Sequence, residues 1–257
     1  MPLTHPPAVQ LYTLRDRLAA DRKATLQAVA DFGYGAVEPF DVLTDPGQLR
    51  ADLDSAGLRV SSVHARPFDE QAQAVFAGTR ILGADTVIVP MADPALFDTA
   101  EGVLELAARL NSAAREAAEH GLRLGYHNHA FELASQIGGR TGLEALADAL
   151  DPEVLLEVDT YWAAVGGQDV PELLRRLGER VRFLHVKDGP VNQEDPMTAV
   201  GGGRMPVAEI LAANPHVEWH IVELDHCATD LLEAVGDSLA WLAAQGLATP
   251  VRTTGEA

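Results

Sequence analysis

A chain of 257 residues suits one large domain or two small ones, and a 47% hydrophobic content is ordinary for a globular protein that builds its core without staples. The formal net charge of -19, from 38 acidic and 19 basic residues, argues against a nucleic-acid binder, which normally carries a basic patch or stripe. The single cysteine, Cys227, excludes a disulfide framework within the chain, fits a reducing cytoplasm and is expected as a buried thiol.

The N-terminal run MPLTHPPAVQLYTLRD has no basic region followed by an apolar core, so no secretory leader is expected. No uninterrupted apolar stretch is long enough to span a bilayer, and a cytoplasmic location is expected. Short β-like runs then alternate with longer helical stretches. Residues 9–12 form the first run. A helical stretch follows, with Leu18, Leu26, Val29 and Phe32 facing inward and Gly33 just past its end. Residues 35–40 are the second strand and 58–64 the third, followed by a helix over 71–82 that Gly83 closes. The β-branched run 86–90 is the fourth strand, and 100–120 a long helix ended by Gly121. Strands five and six are 122–126 and 154–158, with a helix over 141–150 between them. A helix over 170–177, strand seven at 181–186, a helix over 205–213, strand eight at 219–224 and a helix over 231–244 complete the pattern.

Continuous apolar strands bounded by turn residues suit a parallel sheet, because both its faces are covered. Eight β/α units in order predict an α/β protein, a single (β/α)8 TIM barrel over residues 1–257 with its core at about 8–246, in preference to an open doubly wound sheet. No GxGxxG follows the first strand, which removes the usual argument for a dinucleotide site. The polar tail 249–257 is expected to fray. The longest irregular stretch, 188–204, follows the seventh strand and so belongs at the barrel's catalytic mouth.

Polar residues gather at the C-terminal strand ends, where barrel active sites are built. The fifth strand leads into Tyr126-His127-Asn128-His129 with Glu132 beyond; the sixth ends in Glu157-Val158-Asp159; the seventh gives His185-Val186-Lys187-Asp188; the eighth gives Glu223-Leu224-Asp225-His226. Imidazoles and carboxylates together suit Mn, Zn, Fe or Co, and neighbouring strands can aim one ligand each at a common point. Asp159 is a ligand candidate that competes with a helix N-cap role, and His185 one that competes with a satisfied core histidine. Glu223, deep in an apolar run, needs a partner and is a ligand or base. Asp225 and His226 support the site or are solvated. Strand alternation lets His127 and His129 share one face, while Glu132 either reaches in from the loop or starts a surface turn. Lys187 either neutralises developing charge on a substrate or pairs with Asp188. His64 with Arg66, Glu38 and Gln10 end the earlier strands and are candidates for substrate hydroxyls. Trp162 and Tyr12 are candidate apolar walls.

The segments VQLYTLRD, GYGAVEPF, LGADTVIVP, GLRLGYHNHAFEL, LLEVDTYW, FLHVKDG, VGGGRMPVAEIL and IVELDHC, in this order from about Val9 to Leu242, resemble the sugar phosphate isomerase/epimerase family. This is the xylose isomerase-like barrel superfamily, which also holds inosose dehydratases, ketose 3-epimerases, keto-sugar lyases and a DNA-repair endonuclease branch. In its epimerase branch, the resemblance implies, one metal is held by Glu, Asp, His and Glu from strands five to eight. The last three correspond to Asp159, His185 and Glu223. The first Glu is absent: His129 or His127 takes its place, or Glu132 reaches back to it. The YHNH pattern is closer to the inosose dehydratase and keto-sugar lyase branch. Where the family usually has Gly-Glu-Gly before the seventh helix, this chain has Gly201-Gly202-Gly203.

The implied cofactor is one divalent metal ion, Mn, Co, Zn, Fe or Mg, and the implied substrate a small sugar or polyol. The expected metal ligands are Asp159, His185, Glu223 and His129. A keto- or aldo-sugar or cyclitol bound there would lose its α-proton to Glu223, Glu132 or His127, with an enediolate intermediate and Lys187 neutralising charge. Returning the proton gives isomerisation or epimerisation; expelling a β-leaving group gives a dehydratase or lyase. The alternatives of another class are a metal-free sugar-binding barrel and a metal-dependent endonuclease, which the charge disfavours. Barrels of this kind often form homo-oligomers, and no isolated interface helix stands out.

Overall fold

Strands in this chain are short, apolar where they cross the core and polar at their C-terminal ends, a pattern that closes into a barrel with its chemistry at one mouth. The computed structural model describes residues 5–251. The order begins with β1 (Ala8–Gln10), α1 (Arg15–Phe32), β2 (Ala36–Glu38), α2 (Pro46–Ala56), β3 (Arg59–Val60), β4 (Val63–His64), α3 (Ala72–Leu82) and β5 (Thr86–Val89). It continues with α4 (Ala100–Glu119), β6 (Arg123–His127), α5 (Ala130–Ala134), a small hairpin β7 (Gln136–Ile137) and β8 (Arg140–Thr141), then α6 (Gly142–Ala149) and β9 (Leu155–Asp159). Last come α7 (Thr160–Val165), α8 (Val170–Leu177), β10 (Val181–Val186), α9 (Val207–Ala212), β11 (Trp219–Val222) and α10 (Leu231–Ala244).

The nine barrel strands pair in the order β3-β2-β1-β11-β10-β9-β6-β5-β4, every pair parallel. The expected third strand over 58–64 is broken into β3 and β4 at Ser61 and Ser62. One half pairs with β2 and the other with β5, so the ring nearly closes through this interruption. The Ser61 N–H still donates to the Val37 carbonyl at 3.0 Å, and His64 N–H to that of Pro39 at 2.8 Å. The break lets Ser62 Oγ turn inward and donate to Glu38.

The helices follow their sequence signals. Thr99 caps α4 through Gly102 N–H, and Val103, Leu106, Ala107, Leu110 and Ala117 form its buried stripe. Gly33 ends α1 at φ 101, where a Cβ would also meet Pro250 at 2.7 Å. Residues 250–251 therefore pack on the barrel, with Val251 N–H donating to Gly33 O at 2.8 Å; the rest of the tail expected to fray lies outside the described residues. α2 carries Asp45 as N-cap, Pro46 in its first turn and Gly57 past its end, signals that mark a helix although its apolar stripe is only Leu49 and Leu53. Among the described residues no helix is long and apolar enough to cross a membrane.

Inside the barrel, the period-two alternation stacks side chains in layers. Ala8, Ala36, Ile88, Leu155, Phe183 and Ile221 form a buried apolar layer. Gly125 belongs to the same level and leaves room for Ile88, whose Cδ1 would lie 2.5 Å from a Cβ there. Two residues further along six of these strands the interior turns polar, while on β5 the position is Pro90.

Candidate active site

The first polar layer consists of Gln10, Glu38, His127, Glu157, His185 and Glu223, each two residues beyond the apolar layer on its own strand. Ser62 and His64 join it from the broken third strand. The next step outward carries His129, Asp159, Lys187 and Asp225. Glu38, Glu157, Asp159 and His185 have no exposure at all, so every charge here must be met by a neighbour.

His185 is the hub. Its Nδ1 lies 2.7 Å from Glu223 Oε2 and its Nε2 2.7 Å from Glu38 Oε2, with Glu157 Oε2 at 3.2 Å. Burial opposes its protonation, but Glu157 and Glu223 outweigh that and hold the imidazolium well above the ordinary range. Glu157 Oε2 also meets His64 Nε2 at 2.6 Å and lies 3.0 Å from His127 Nδ1, without hydrogen-bond geometry to the latter. Burial opposes ionisation of Glu157, yet His185 and His64 keep it well below the carboxylate range. Glu38 is raised by burial and by Glu157 beside it, while Gln10 Nε2 donates to it at 2.7 Å. His127 is held neutral, first by burial and then by His185.

Lys187 is 1% exposed, and its Nζ sits 2.9 Å from Asp159, 2.7 Å from Glu223 and 2.8 Å from Asp225. Burial opposes its charge, but these three carboxylates raise it well above the usual lysine value. Burial likewise opposes ionisation of Glu223, which Lys187 and His185 nevertheless hold well below its usual range. Asp159 is pushed up to about 6 by burial, against the pull of Lys187. It fills both of its anticipated roles, one oxygen each: Oδ1 accepts from Trp162 N–H as the cap of α7, and Oδ2 faces Lys187.

Several expected placements differ. Lys187 does not pair with Asp188, which instead accepts from the N–H groups of Gly189, Gly201 and Met205 and shapes the 188–204 loop. Glu132 does not reach the cavity: it accepts from Tyr126 OH and His129 N–H, both at 2.8 Å, closing a capping box at the start of α5. Burial pushes its carboxyl up to about 7. His129 sits at the mouth, where burial and Lys187 lower it to about 4, and it is not among the groups whose ligand atoms converge. Gln10 and Glu38 lie beneath the cavity and are spoken for by each other and by His185. Trp162 turns its Nε1 to Asp225 Oδ2 at 3.2 Å and does not line the cavity. Cys227 is only half-buried, because its segment runs across the surface bridged to Met197. In the Gly201-Gly202-Gly203 run, a Cβ on Gly201 would strike the Trp241 ring and one on Gly203 would strike Asp188 and Gly189. One on Gly202 would meet nothing nearer than 3.1 Å. The middle position is thus the one with room for the family's usual side chain.

Glu157 is the residue that sequence reasoning passed over. It shares a strand face with Asp159, and the same alternation that pairs His127 with His129 points it inward.

The residues present fit a divalent cation. His127, Asp159, His185 and Glu223 each offer one ligand atom, all within 4.8 Å of one another. His127 Nδ1 is buried without a hydrogen-bond partner, and Asp159 Oδ2 is met only by the Lys187 ammonium. Two imidazoles with two carboxylates suit Mn, Fe, Co or Zn and match the charge of the ion. A deeper set, His64, His127, Glu157 and His185, shares two of these residues but has one carboxylate.

Above the cluster opens a cavity of about 620 Å³, bordered by His64, His127, His129, Lys187, Glu223 and Asp225 on one side. Imidazoles and carboxylates converging at the C-terminal mouth of a parallel barrel define a protein of the α/β-barrel enzyme type. The chain belongs to the xylose isomerase-like TIM barrel family, whose model matches residues 26–245. Inosose dehydratase of Mesomycoplasma hyopneumoniae (strain 7448) is 36% identical to it over 141 residues, 47% of this chain and 46% of that protein, so the match spans about half the length of that relative. Inosose dehydratase of Lacticaseibacillus casei is 24% identical over 224 residues, 70% of this chain and 74% of that protein. A solved sugar phosphate isomerase/epimerase from Parabacteroides distasonis ATCC 8503 shares the fold with a TM-score of 0.81, at 22% identity over 95% of both chains.

Proposed function

We propose that this chain is a divalent-metal-dependent enzyme that removes the proton next to the carbonyl of a keto- or aldo-sugar or cyclitol. The observation that carries this is the meeting of His127, Asp159, His185 and Glu223 with the Lys187 ammonium at the closed end of one cavity. Those four residues would hold the ion, which when bound would act as a Lewis acid toward the substrate's carbonyl and adjacent hydroxyl oxygens.

The chain's own groups account for the rest. Glu223 and His127 border the cavity and are placed to take the α-proton. Lys187 Nζ, fixed by three carboxylates, offers a cation to an oxygen on which negative charge develops. His64 and His129 present ring nitrogens to hydroxyls at the cavity floor and wall. Glu157 and Glu38 hold His64 and His185 in place from below, and Glu157 lies beside His127. Return of the proton at another carbon or face gives an isomerase or epimerase. Loss of a β-hydroxyl from the same carbanion-like species gives a dehydratase, the reading favoured by the name that the matched relatives carry.

The test is metal content together with proton exchange. The protein reconstituted with Mn²⁺ should retain about one ion per chain and wash solvent deuterium into the α-position of ketoses or inososes. Asp159→Asn and His185→Gln should lose both. Metal retention unchanged in those variants, or exchange that survives exhaustive chelation, would overturn the proposal. Accumulation of an unsaturated or diketo product would select the dehydratase.

A further inference from the structure

The mouth of the cavity has two unlike halves. The strands that follow α4 send polar side chains to its rim, whereas the loops after the early strands send its large apolar ones, with Asp41, His64, Arg66 and Gln71 among them. One step beyond Gln10 and Glu38 come Tyr12 and Phe40, and with Val42, Leu43, Val75 and Met91 they line the opposite wall. Tyr12, Phe40, Leu43 and Met91 are 43%, 38%, 45% and 39% exposed. Phe32, Ile81 and Leu104, also exposed, lie on separate helices. Scattered apolar side chains need no explanation; a cluster inside a concave wall does.

This wall is ordered. The Tyr12 and Phe40 rings meet edge to face, with centroids 5.4 Å apart and an interplanar angle of 89°. The Arg15 guanidinium lies 4.4 Å from the centroid of the Tyr12 ring and donates to the Tyr12 carbonyl at 2.9 Å, so that ring is held on its far side. A bare polyol ring finds most of its hydrogen-bonding partners at the polar end; along this wall Asp41, Arg66 and Gln71 are interspersed among the larger apolar surfaces of Tyr12, Phe40, Leu43 and Met91. The cavity volume of about 620 Å³ lies in the range that accommodates drug-sized ligands, roughly 300–1,000 Å³.

The wall also argues against a phosphate. Lys187 is already matched by three carboxylates, so Arg66 is the one other lysine or arginine among the lining residues, and Asp41, Asp225 and Glu223 border the same space. The helical segment entering at this edge, the single turn Asp69–Gln71 ahead of α3, begins with Asp69 and Glu70, which repel an anion there.

We infer that the substrate is a glycoconjugate: a keto-sugar or keto-cyclitol ring at the polar end bearing an apolar substituent of aromatic size that lies along Tyr12, Phe40 and Met91. This rests on the function proposed above and specifies its substrate class. Matched methyl and phenyl β-glycosides of glucose, galactose and xylose, with the 6-phosphates of the two hexoses, would be titrated calorimetrically into the Mn²⁺-loaded protein. The phenyl member of at least one pair should bind about tenfold more tightly than its methyl partner. Tyr12→Ser with Phe40→Ser should bring that ratio close to one, and Met91→Gln, on another loop, should lower it independently. Equal affinities within every pair, or tightest binding by a hexose phosphate, would overturn this inference while leaving the proposed chemistry standing. Failure of every glycoside to bind would also overturn this inference, whereas deuterium exchange into ketoses or inososes decides the proposed chemistry separately.

Discussion

Replacing Lys187 by Met tests whether the cluster is charged as the geometry requires. Methionine matches the lysine stem in length, so packing is largely kept while the ammonium is lost. Two of its three carboxylate partners, Asp159 and Glu223, are 0% and 7% exposed, and their interaction is unscreened by solvent; Asp225, at 29%, counts for less. Breaking a buried pair by removing one partner costs about 3–5 kcal/mol, and that is the loss of unfolding free energy expected for Lys187→Met in chelator at about pH 8. The loss should shrink toward pH 5, because Asp159, already pushed up to about 6 by burial, takes up a proton and one of the repelling charges disappears. Adding Mn²⁺ reverses the pattern: the ammonium competes with a cation for Asp159 and Glu223, so the variant should gain more from metal than the wild type. Saturation at about a thousand times Kd contributes about 4 kcal/mol. Urea denaturation with and without Mn²⁺, at both pH values, reads all of this. A variant as stable as wild type in chelator at high pH would refute the reasoning, since it would mean that Asp159 and Glu223 are not ionised together.

Other substitutions probe the supports of the site. Glu157→Gln keeps the shape but removes the charge that three imidazoles surround. Metal affinity, measured by chelator competition, should fall about 10–100-fold, as for loss of a group that orients ligands; an unchanged affinity would make Glu157 merely a core carboxylate. Asp188→Ala strands the N–H groups of Gly189, Gly201 and Met205. It should cost about 1–3 kcal/mol and open the 188–204 loop to limited proteolysis, and equal cleavage rates would count against that role. His220, lowered to about 4 by burial alone, is neutral in the fold and protonates near 6.5 when unfolded. Its contribution is therefore complete above about pH 6.5 and is lost as pH falls toward 4, about 3 kcal/mol in all. The stability difference between wild type and His220→Leu should change by about that much across this window, and a difference independent of pH would remove the assignment.

The barrel and most of its strand ends were legible because two simple periodicities survive in this sequence: apolar runs short enough for strands, and helices closed by Gly33, Gly83 and Gly121. The rule that barrel chemistry sits at strand C-termini singles out Asp159, His185, Lys187 and Glu223, and the structure brings all four together. What escaped was depth. A strand end presents two inward levels, and Glu157 lies one level below Asp159, hidden because the outermost polar residue draws the eye. Glu132 is the reverse case. His129-x-x-Glu132 has the spacing of a capping box, with an unusual residue at the cap, and that spacing satisfies the carboxylate locally and withdraws it from the cavity. The break of the third strand at Ser61-Ser62 had no local signal; its counterpart is a long-range contact, the Ser62 hydroxyl donating to Glu38 on β2.

Glu157 also makes sense of the missing glutamate on the fifth strand. His127 stands at that strand's inner polar level, and the carboxylate nearest its Nδ1 is Glu157 on the adjacent β9, paired with it in register. The charge absent from one strand is thus present on its neighbour at the same height. A neutral imidazole replaces a carboxylate at the cavity, while the negative charge retreats into the protein, where His64 and His185 share it. The consequence is electrostatic. Of the two carboxylates in the four-residue cluster, Glu223 borders the cavity and Asp159 does not, so under the function proposed here the acid–base pair of a two-glutamate site would be reduced to Glu223 and an imidazole. A proposed acid–base pair of one carboxylate and one neutral histidine would be asymmetric in proton affinity, and asymmetry suits a proton taken by one group and delivered elsewhere better than one passed back and forth between equivalent faces.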